Sequence, residues 1–420
     1  RPTPRGCRVR DPRSGPRVGR PCDRDRREPA EKRGYQGSSL SCPHCREAAR
    51  FVEYRSKGFV SLVGDLRLSR AYYHCGACGR GSFPWDGTLR LSPQRLTPAA
   101  EEVTALAGVQ ESFGKAADRT LRKLAGLRLC ESTVERTTEE AGARLGACLA
   151  RGAVFGLATA WKWNRDAAGR TCAYVSLDAT GILMQGPEGA KAEGRMVYVG
   201  MIYNPRPRSA DEEALSKPCD GARYLAGLYA LDALGLAMRR QGAQVGMDAA
   251  DVWIALTDGG NGLEGFVDVN FPRAEKILDF QHGATHLADF AKQFRPDTWE
   301  GLLAAWCHTL KHAGGAAMIR VLERLGRKKM TEEVRQGHDD LLGYLRKNVA
   351  RMDYPRYLQN GWQIASGAVE SACKTVVNQR LCLGGMRWGE EGSDAVAHLR
   401  ALYRSDPDQW DAFWGYSMAA

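Results

Sequence analysis

Two Cys-x-x-Cys knuckles, Cys42-Pro43-His44-Cys45 and Cys75-Gly76-Ala77-Cys78, stand 29 residues apart and require the chain between them to turn back on itself. Each knuckle aims two thiolates at one cation, and two knuckles complete the tetrahedral four-sulfur site that Zn2+ favours. The spacer exceeds the usual stretch of about 15–20 residues. It reads as strand, because FVEY, FVSLV and LRLSRAYY alternate or run apolar around Gly58 and Gly64, and a hairpin would bring the second knuckle to the first. Residues 37–95 are therefore expected to form a zinc ribbon with one structural Zn2+ on Cys42, Cys45, Cys75 and Cys78. His44 and His74 border the knuckles as substitute ligands. Some ribbons bind nucleic acid and others only staple a small fold, and the sequence leaves both open.

The chain has thirteen cysteines. Cys130, Cys148, Cys172, Cys219, Cys307, Cys373 and Cys382 are scattered singly and read as small buried hydrophobes, while Cys7 and Cys22 lie in the leader. So many thiols without a secretion signal point to a reducing compartment, the cytoplasm. No run approaches the roughly 18 apolar residues of a membrane span, and no apolar signal segment follows the start. At 420 residues and 43% apolar content, there is material for two or three domains with real cores. Net charge is +11, and residues 1–36 supply +7 of it from twelve Lys/Arg and five Asp/Glu. This Pro/Gly-rich basic leader is too poor in apolar residues to offset its ordering entropy and is expected to be disordered. It could hold a phosphate backbone. No G-x-x-x-x-G-K-[ST] loop occurs, so nothing supports ATP-driven chemistry.

Beyond a polar joint around Ser92–Pro98, residues 96–150 are strongly helical. Phe113, Ala116, Ala117, Leu121 and Leu124 recur at helical spacing up to Gly126. Ser132 is the expected N-cap of a second helix running through Val134. Two helices across a short Gly-containing turn suggest a helix-turn-helix offering Thr133, Arg136 and Thr137 to a major groove. An ordinary helical hairpin fits the same pattern.

Over residues 151–290 strands alternate with helices, which argues for an α/β layer. TCAYVSLDATGILMQ is β-rich around Asp178, and MVYVGMIYN is a second strand. Tyr224 to Gln241 reads as helix, DVWIALTDGG as a buried strand ending in Asp258, and AEKILDFQH as a strand ending at Asp279 and His282. Residues 291–357 are mostly helical. Within 358–420, Glu370 sits in the first turn of a helix, where the dipole favours a carboxylate, and Lys374 follows one turn on. Acids at strand ends project into the crevice where such sheets bind ligands. Asp178, Asp258 and Glu370 thus fall on a central strand, a second strand end and a later helix, an arrangement that two-metal phosphoryl transfer needs. Asp-Gly turns and helix-start glutamates also arise for purely structural reasons.

With its neighbours, this pattern resembles the bacterial insertion-sequence DDE transposases of the ISKra type. The resemblance is carried by LDATGI around Asp178, LTDGGNGLEGF around Asp258 and FP-x-A-x-x-ILDFQHGATHL. It continues through KNVARMDYPRYL, GAVESACKTVVNQRLCLGGMRW around Glu370, and LRALYRSDPDQWDAFW, covering about Cys42 to Trp414. It implies a ribonuclease-H-like catalytic core in two parts, 151–290 and 358–420, around a helical insertion at 291–357. It further implies that Asp178, Asp258 and Glu370 bind two Mg2+ (or Mn2+) ions. The partners would be double-stranded DNA, as terminal inverted repeats and target, with the protein a homo-oligomer on DNA in the bacterial nucleoid and no membrane. Asp279-x-x-His282 looks like a motif of related transposases in which the His lies near the cleaved DNA; a core histidine fits His282 nearly as well and His286 better. Departures include Ala179 for an expected Gly, Thr257 and Gly260 where Gly and Ala are usual, Thr285 for an acid, and QIASG for a Pro-Ile-Gly-Ser-Gly run. None removes a metal-binding carboxylate.

The implied chemistry is hydrolysis at the element's end, followed by attack of the freed 3′-hydroxyl on a target phosphodiester. Asp178 would bridge both ions, Asp258 hold one and Glu370 the other. Lys374, Arg380 and Arg387 are candidates for phosphates near the cut, and Trp388 for stacking on an unpaired base; solvated helix cations and a core Trp are the plain alternatives. Two other functions fit the same residues: a ribonuclease-H-like structure-specific nuclease that cuts without joining, and a catalytically dead zinc-ribbon DNA-binding protein.

Overall fold

The computed structural model describes residues 33–206, 219–260, 262–326, 330–406 and 408–415. Apart from residues 33–36, the expected leader lies outside them. The chain is mixed α/β and divides into two compact units.

The smaller unit runs up to Val103 and includes Ala125–Leu127. Its antiparallel sheet has the order β1 (Ser39–Ser41), β2 (Ala48–Ser61), β3 (Gly64–Cys75), β4 (Gly81–Ser82). β2 and β3 form the hairpin that the alternation predicts, with Ala49 opposite Cys75 and Ser61 opposite Gly64. That register returns the second knuckle to the first. A small apolar cluster backs it: Cys42, Ala49, Ala71, Tyr73 and Cys75, flanked by Tyr35, Leu40 and Phe51. Helix α1 (Pro84–Thr88) braces β3, where buried Arg70 pairs with Asp86 and stacks 4.1 Å from the Phe83 ring centre.

The larger unit takes Thr104–Leu124 and everything from Arg128. Helix α2 (Pro98–Gln110) is followed by α3 (Phe113–Lys115), which widens into π-helix over Ala116–Ala125, and by α4 (Glu131–Ala150). Gly126, at φ +70°, makes the expected turn between α3 and α4. Other expectations here are corrected. The N-cap of α4 is Cys130 and not Ser132. Thr137 is 1% exposed and cannot face a groove. Residues 96–150 are not a separate segment, because most of them belong to the larger unit and Leu145 and Leu149 enter its main core. α4 packs so closely on a later helix that a Cβ on Gly142 would lie 2.2 Å from the Ala395 carbonyl oxygen.

A five-stranded sheet centres this unit: β5 (Cys172–Gln185), β6 (Lys191–Pro205), β7 (Cys219–Gly227), β8 (Val252–Thr257) and β9 (Ala274–Leu278), in the order β7-β6-β5-β8-β9. β6 runs antiparallel to both β5 and β7, while β8 and β9 run parallel to β5. The helix expected from Tyr224 begins only at Leu231 (α5, Leu231–Gln244), because Tyr224 to Gly227 pair with β6 as an edge strand. α6 (Leu263–Asn270) joins β8 to β9. The strand expected to reach His282 stops at Leu278, and Asp279 instead caps α7 (Phe280–Phe294), which carries His282. Helices α8 (Trp299–Glu323), α9 (Glu332–Asn348) and α10 (Tyr354–Gln359) fill the expected helical stretch. Then α11 (Gly367–Ala372) widens into π-helix over Cys373–Asn378 and closes as α12 (Gln379–Leu381) before α13 (Glu390–Arg404) and α14 (Asp408–Trp414). Among the described residues, no helix is long and apolar enough to cross a membrane.

Adding one methyl to the α4–α13 contact tests this packing. Gly142→Ala should destabilise the protein by about 1–3 kcal/mol, the usual cost of overpacking. A denaturation midpoint equal to wild type would show that the helices do not meet as described.

Candidate metal centres

The four knuckle cysteines converge. Cys42 and Cys78 sulfurs lie 3.7 Å apart and Cys45 and Cys75 sulfurs 3.5 Å apart, with all four within 4.8 Å of one another. Zn–S bonds of about 2.3 Å at tetrahedral angles put sulfurs about 3.8 Å apart, so the residues fit Zn2+. Backbone N–H groups of Cys45 and His44 draw the Cys42 thiol down to about 7. Cys45 receives the Glu47 N–H, which favours its thiolate, yet burial and the three neighbouring thiols push it up to about 12. His44 turns to the Arg80 guanidinium at 3.3 Å, so four sulfurs make the cage.

The carboxylates are placed by strand register. On the parallel strands, Leu177 pairs with Thr257 and Thr257 with Leu278. The next residues along these three strands are Asp178, Asp258 and Asp279, which therefore stand level across the sheet. They end differently. Asp279 is buried and used: it accepts from the Gln281 N–H at 3.0 Å, the Ser366 N–H at 3.1 Å and the Ser366 hydroxyl at 2.7 Å. Asp258 is half-buried and turns onto the Gly260 N–H at 3.0 Å. Asp178 is half-buried, accepts from the Ala179 N–H at 2.7 Å and faces the Cys373 thiol at 3.5 Å. Burial raises the Asp178 carboxyl above its ordinary value, the two hydrogen bonds oppose that, and the charges of Asp258 and Glu370 raise it further.

Glu370 is thus close enough for its charge to act on Asp178. It sits exposed in the first turn of α11, held at 2.8 Å by the Ser366 hydroxyl. That hydroxyl has one hydrogen for two carboxylates, Asp279 and Glu370, and can donate to only one at a time. The oxygens of Asp178, Asp258 and Glu370 do not gather within 4.8 Å as the sulfurs do. Ligands on opposite sides of an ion pair can stand roughly 8 Å apart, given about 4 Å between ions and about 2 Å per bond.

The π-helical turn explains how α11 reaches Asp178. It carries Cys373 to that carboxylate and Asn378 to the Thr180 hydroxyl at 3.0 Å. A π-turn misaligns carbonyls, and Arg400, 1% exposed, collects them: it donates to Val376 O at 2.6 Å, to Thr375 O, and to Val109 O at 2.5 Å. Burial holds its guanidinium down at about 10. α9 contributes Tyr344, whose ring lies 3.9 Å from that of His286 and whose hydroxyl would meet a Cβ on Gly259 at 2.8 Å. Burial pushes the Tyr344 phenol up to about 12, and its hydroxyl has no hydrogen-bond partner among the described residues. Sequence reasoning missed Ser366, Cys373, Tyr344 and Arg400; none stands in a metal or nucleophile motif.

Two expected DNA contacts are corrected. Arg380 is fully buried, donating to Gly108 O at 2.8 Å and wedged between Phe113 and Trp388. Trp388 is 5% exposed, its indole N–H bound to Leu381 O at 2.9 Å, and it belongs to the core. Lys374 and Arg136 are exposed, Arg136 donating back to Ser132 O at 3.0 Å. Arg387 is half-buried beside Met184 O, and His282 is half-buried with its ring 5.2 Å from His286 and 6.5 Å from Tyr344. A cavity of about 1000 Å³ lies elsewhere, lined by Tyr174, Met201, Tyr224 and Trp362 and by none of the three carboxylates. Neither a family model nor a curated protein matches the chain.

Two outcomes follow from these sites. Purified protein should hold about one zinc per chain, and Cys75→Ser should lose it along with protease resistance of the smaller unit, since such small folds depend on their metal; elemental analysis finding full zinc in the variant would dismiss the cage. The raised Asp178 carboxyl costs metal-free protein stability as pH rises from about 4, its unfolded value, through the folded value. Asp178→Asn, scanned by thermal melting in chelator-treated Mg2+-free buffer, should match wild type at pH 3 and gain progressively above it. An advantage constant with pH would refute the electrostatic account.

Proposed function

We propose that this chain is a DNA transposase of an insertion sequence, binding the element's ends and catalysing Mg2+-dependent strand cleavage and strand transfer. The observation that carries the reading is Asp178 and Asp258, level on adjacent parallel strands, with Glu370 tied through Ser366 to Asp279 at the next strand end. The mixed five-stranded sheet with Asp178 on its central strand supports a ribonuclease-H-like core. The helices α7 to α10 between Asp258 and Glu370 support the helical insertion that the resemblance implies.

The three carboxylates are the hard oxygen ligands that Mg2+ selects. Two Mg2+ ions bound there would supply an activated water and neutralise charge at the scissile phosphate. Asp178, whose carboxyl feels the charges of both other acids, would hold these ions together with Asp258 and Glu370. Asp279 fixes Ser366 through the Ser366 N–H, which leaves the Ser366 hydroxyl free to turn to Glu370. Exposed Lys374, one turn beyond Glu370, and half-buried Arg387 would take phosphates near the cut. His282, on the helix that Asp279 caps, would lie beside the cleaved strand, and exposed Arg136 would contact flanking duplex. Zn2+ on the four cysteines is structural in this scheme, and a homo-oligomer would hold the two ends together.

The test incubates full-length protein with labelled duplexes carrying the inverted repeats that flank its gene. Wild type with Mg2+ should yield nicked ends and joined products. Asp178→Asn and Glu370→Gln should each lower both by roughly 100-fold or more, as expected for losing a metal ligand. Cleavage without joining would point to a nuclease, and normal cleavage by Glu370→Gln would remove Glu370 from the site.

A further inference from the structure

Charge is distributed unevenly between the parts of the chain. Residues 33–97 contain ten Lys/Arg against four Asp/Glu, whereas residues 98–420 contain 39 against 40. A polyanion is therefore drawn to the ribbon by a field that the rest of the described protein does not supply.

Within the ribbon, the β2–β3 hairpin presents this charge in order. Arg50, Arg55 and Lys57 stand opposite His74, Arg70 and Leu68, which places all three on one face, while Arg67 lies opposite Gly58 on the other. Arg50, Arg55 and Arg67 are exposed. The Arg55 guanidinium is pre-ordered 3.7 Å above the Tyr72 ring, and its pairing with Glu53 at 2.8 Å is a solvent-exposed contact of the kind easily exchanged for phosphate. Twelve residues of β3 at about 3.3 Å each reach roughly 40 Å, slightly more than one turn of B-DNA.

The tip breaks the rules of turn chemistry. Leu62 and Val63 occupy the turn between Ser61 and Gly64, whose φ of +113° closes it. Asn, Asp and Gly normally fill such positions. Here Val63 is 90% exposed and Leu62 42% exposed. Apolar side chains at the end of a basic arm match the wedges that groove-binding proteins press against base steps.

We infer that the β2–β3 hairpin is a DNA-binding arm, with Arg50, Arg55, Lys57 and Arg67 on phosphates and Leu62–Val63 pressed into a groove. The inference shares only its DNA substrate with the proposed activity and needs no catalysis. Full-length zinc-loaded protein is titrated into a fluorescein-labelled mixed-sequence duplex of about 40 bp, several helical turns long, without Mg2+. The fourfold variant Arg50→Ala, Arg55→Ala, Lys57→Ala, Arg67→Ala should weaken Kd at least about tenfold and flatten the log Kd against log salt slope by about 0.9 per lost phosphate contact. Leu62→Ser with Val63→Ser should keep the slope while reducing duplex bending read by end-to-end energy transfer. Zinc content confirms the ribbon, and Arg67→Glu alone repeats the test should the fourfold variant lose its metal. A zinc-replete variant with unchanged Kd and slope overturns the arm, as does tighter binding of the same sequence as duplex RNA. Arm-dependent binding by a protein that never cleaves would sink the active-site reading and leave this one standing.

Discussion

Everything in the larger unit is arranged around like charges that register forces together. Parallel pairing of β5, β8 and β9 leaves no freedom: once Leu177, Thr257 and Leu278 are aligned, Asp178, Asp258 and Asp279 must follow side by side. The fold resolves this crowding unequally. Asp279 is satisfied by three hydrogen bonds and becomes scaffold. Asp178 and Asp258 remain open, and Asp178 bears the electrostatic burden of both Asp258 and Glu370. A carboxyl held this way is easier to protonate than a free one.

The second constraint is the buried guanidinium of Arg400. A charged side chain with no carboxylate partner inside a core is costly unless every donor is used. Arg400 places its donors on backbone carbonyls, two from the π-turn after Glu370 and one from the end of α2. The extra residue in that turn swings Cys373 and Asn378 to the sheet. The misaligned turn is thereby fixed next to the half-buried Asp178, and π-turns tend to sit at functional sites.

Much of this could be read from residues alone, and the failures share a cause. The knuckles, the hairpin between them and the strands bearing Asp178 and Asp258 follow from local spacing and alternation, which is where sequence speaks clearly. Arg380 and Trp388 read as DNA contacts because charge and aromaticity beside Glu370 suggest them; only tertiary packing against Phe113 and Gly108 shows that they are interior. Tyr224 read as helical because edge pairing to β6 is non-local. Ser366 and Arg400 were invisible for the same reason, since their partners lie 87 and 291 positions away.

The three acids are spread along the chain: 80 positions separate Asp178 from Asp258 and another 112 precede Glu370. A ribosome therefore releases the zinc-binding hairpin and both aspartates long before the helix that completes the trio. The nascent chain can gather its four cysteines while Glu370 is still unmade, so the two clusters of side chains assemble at different moments. Length of chain itself acts as a timer.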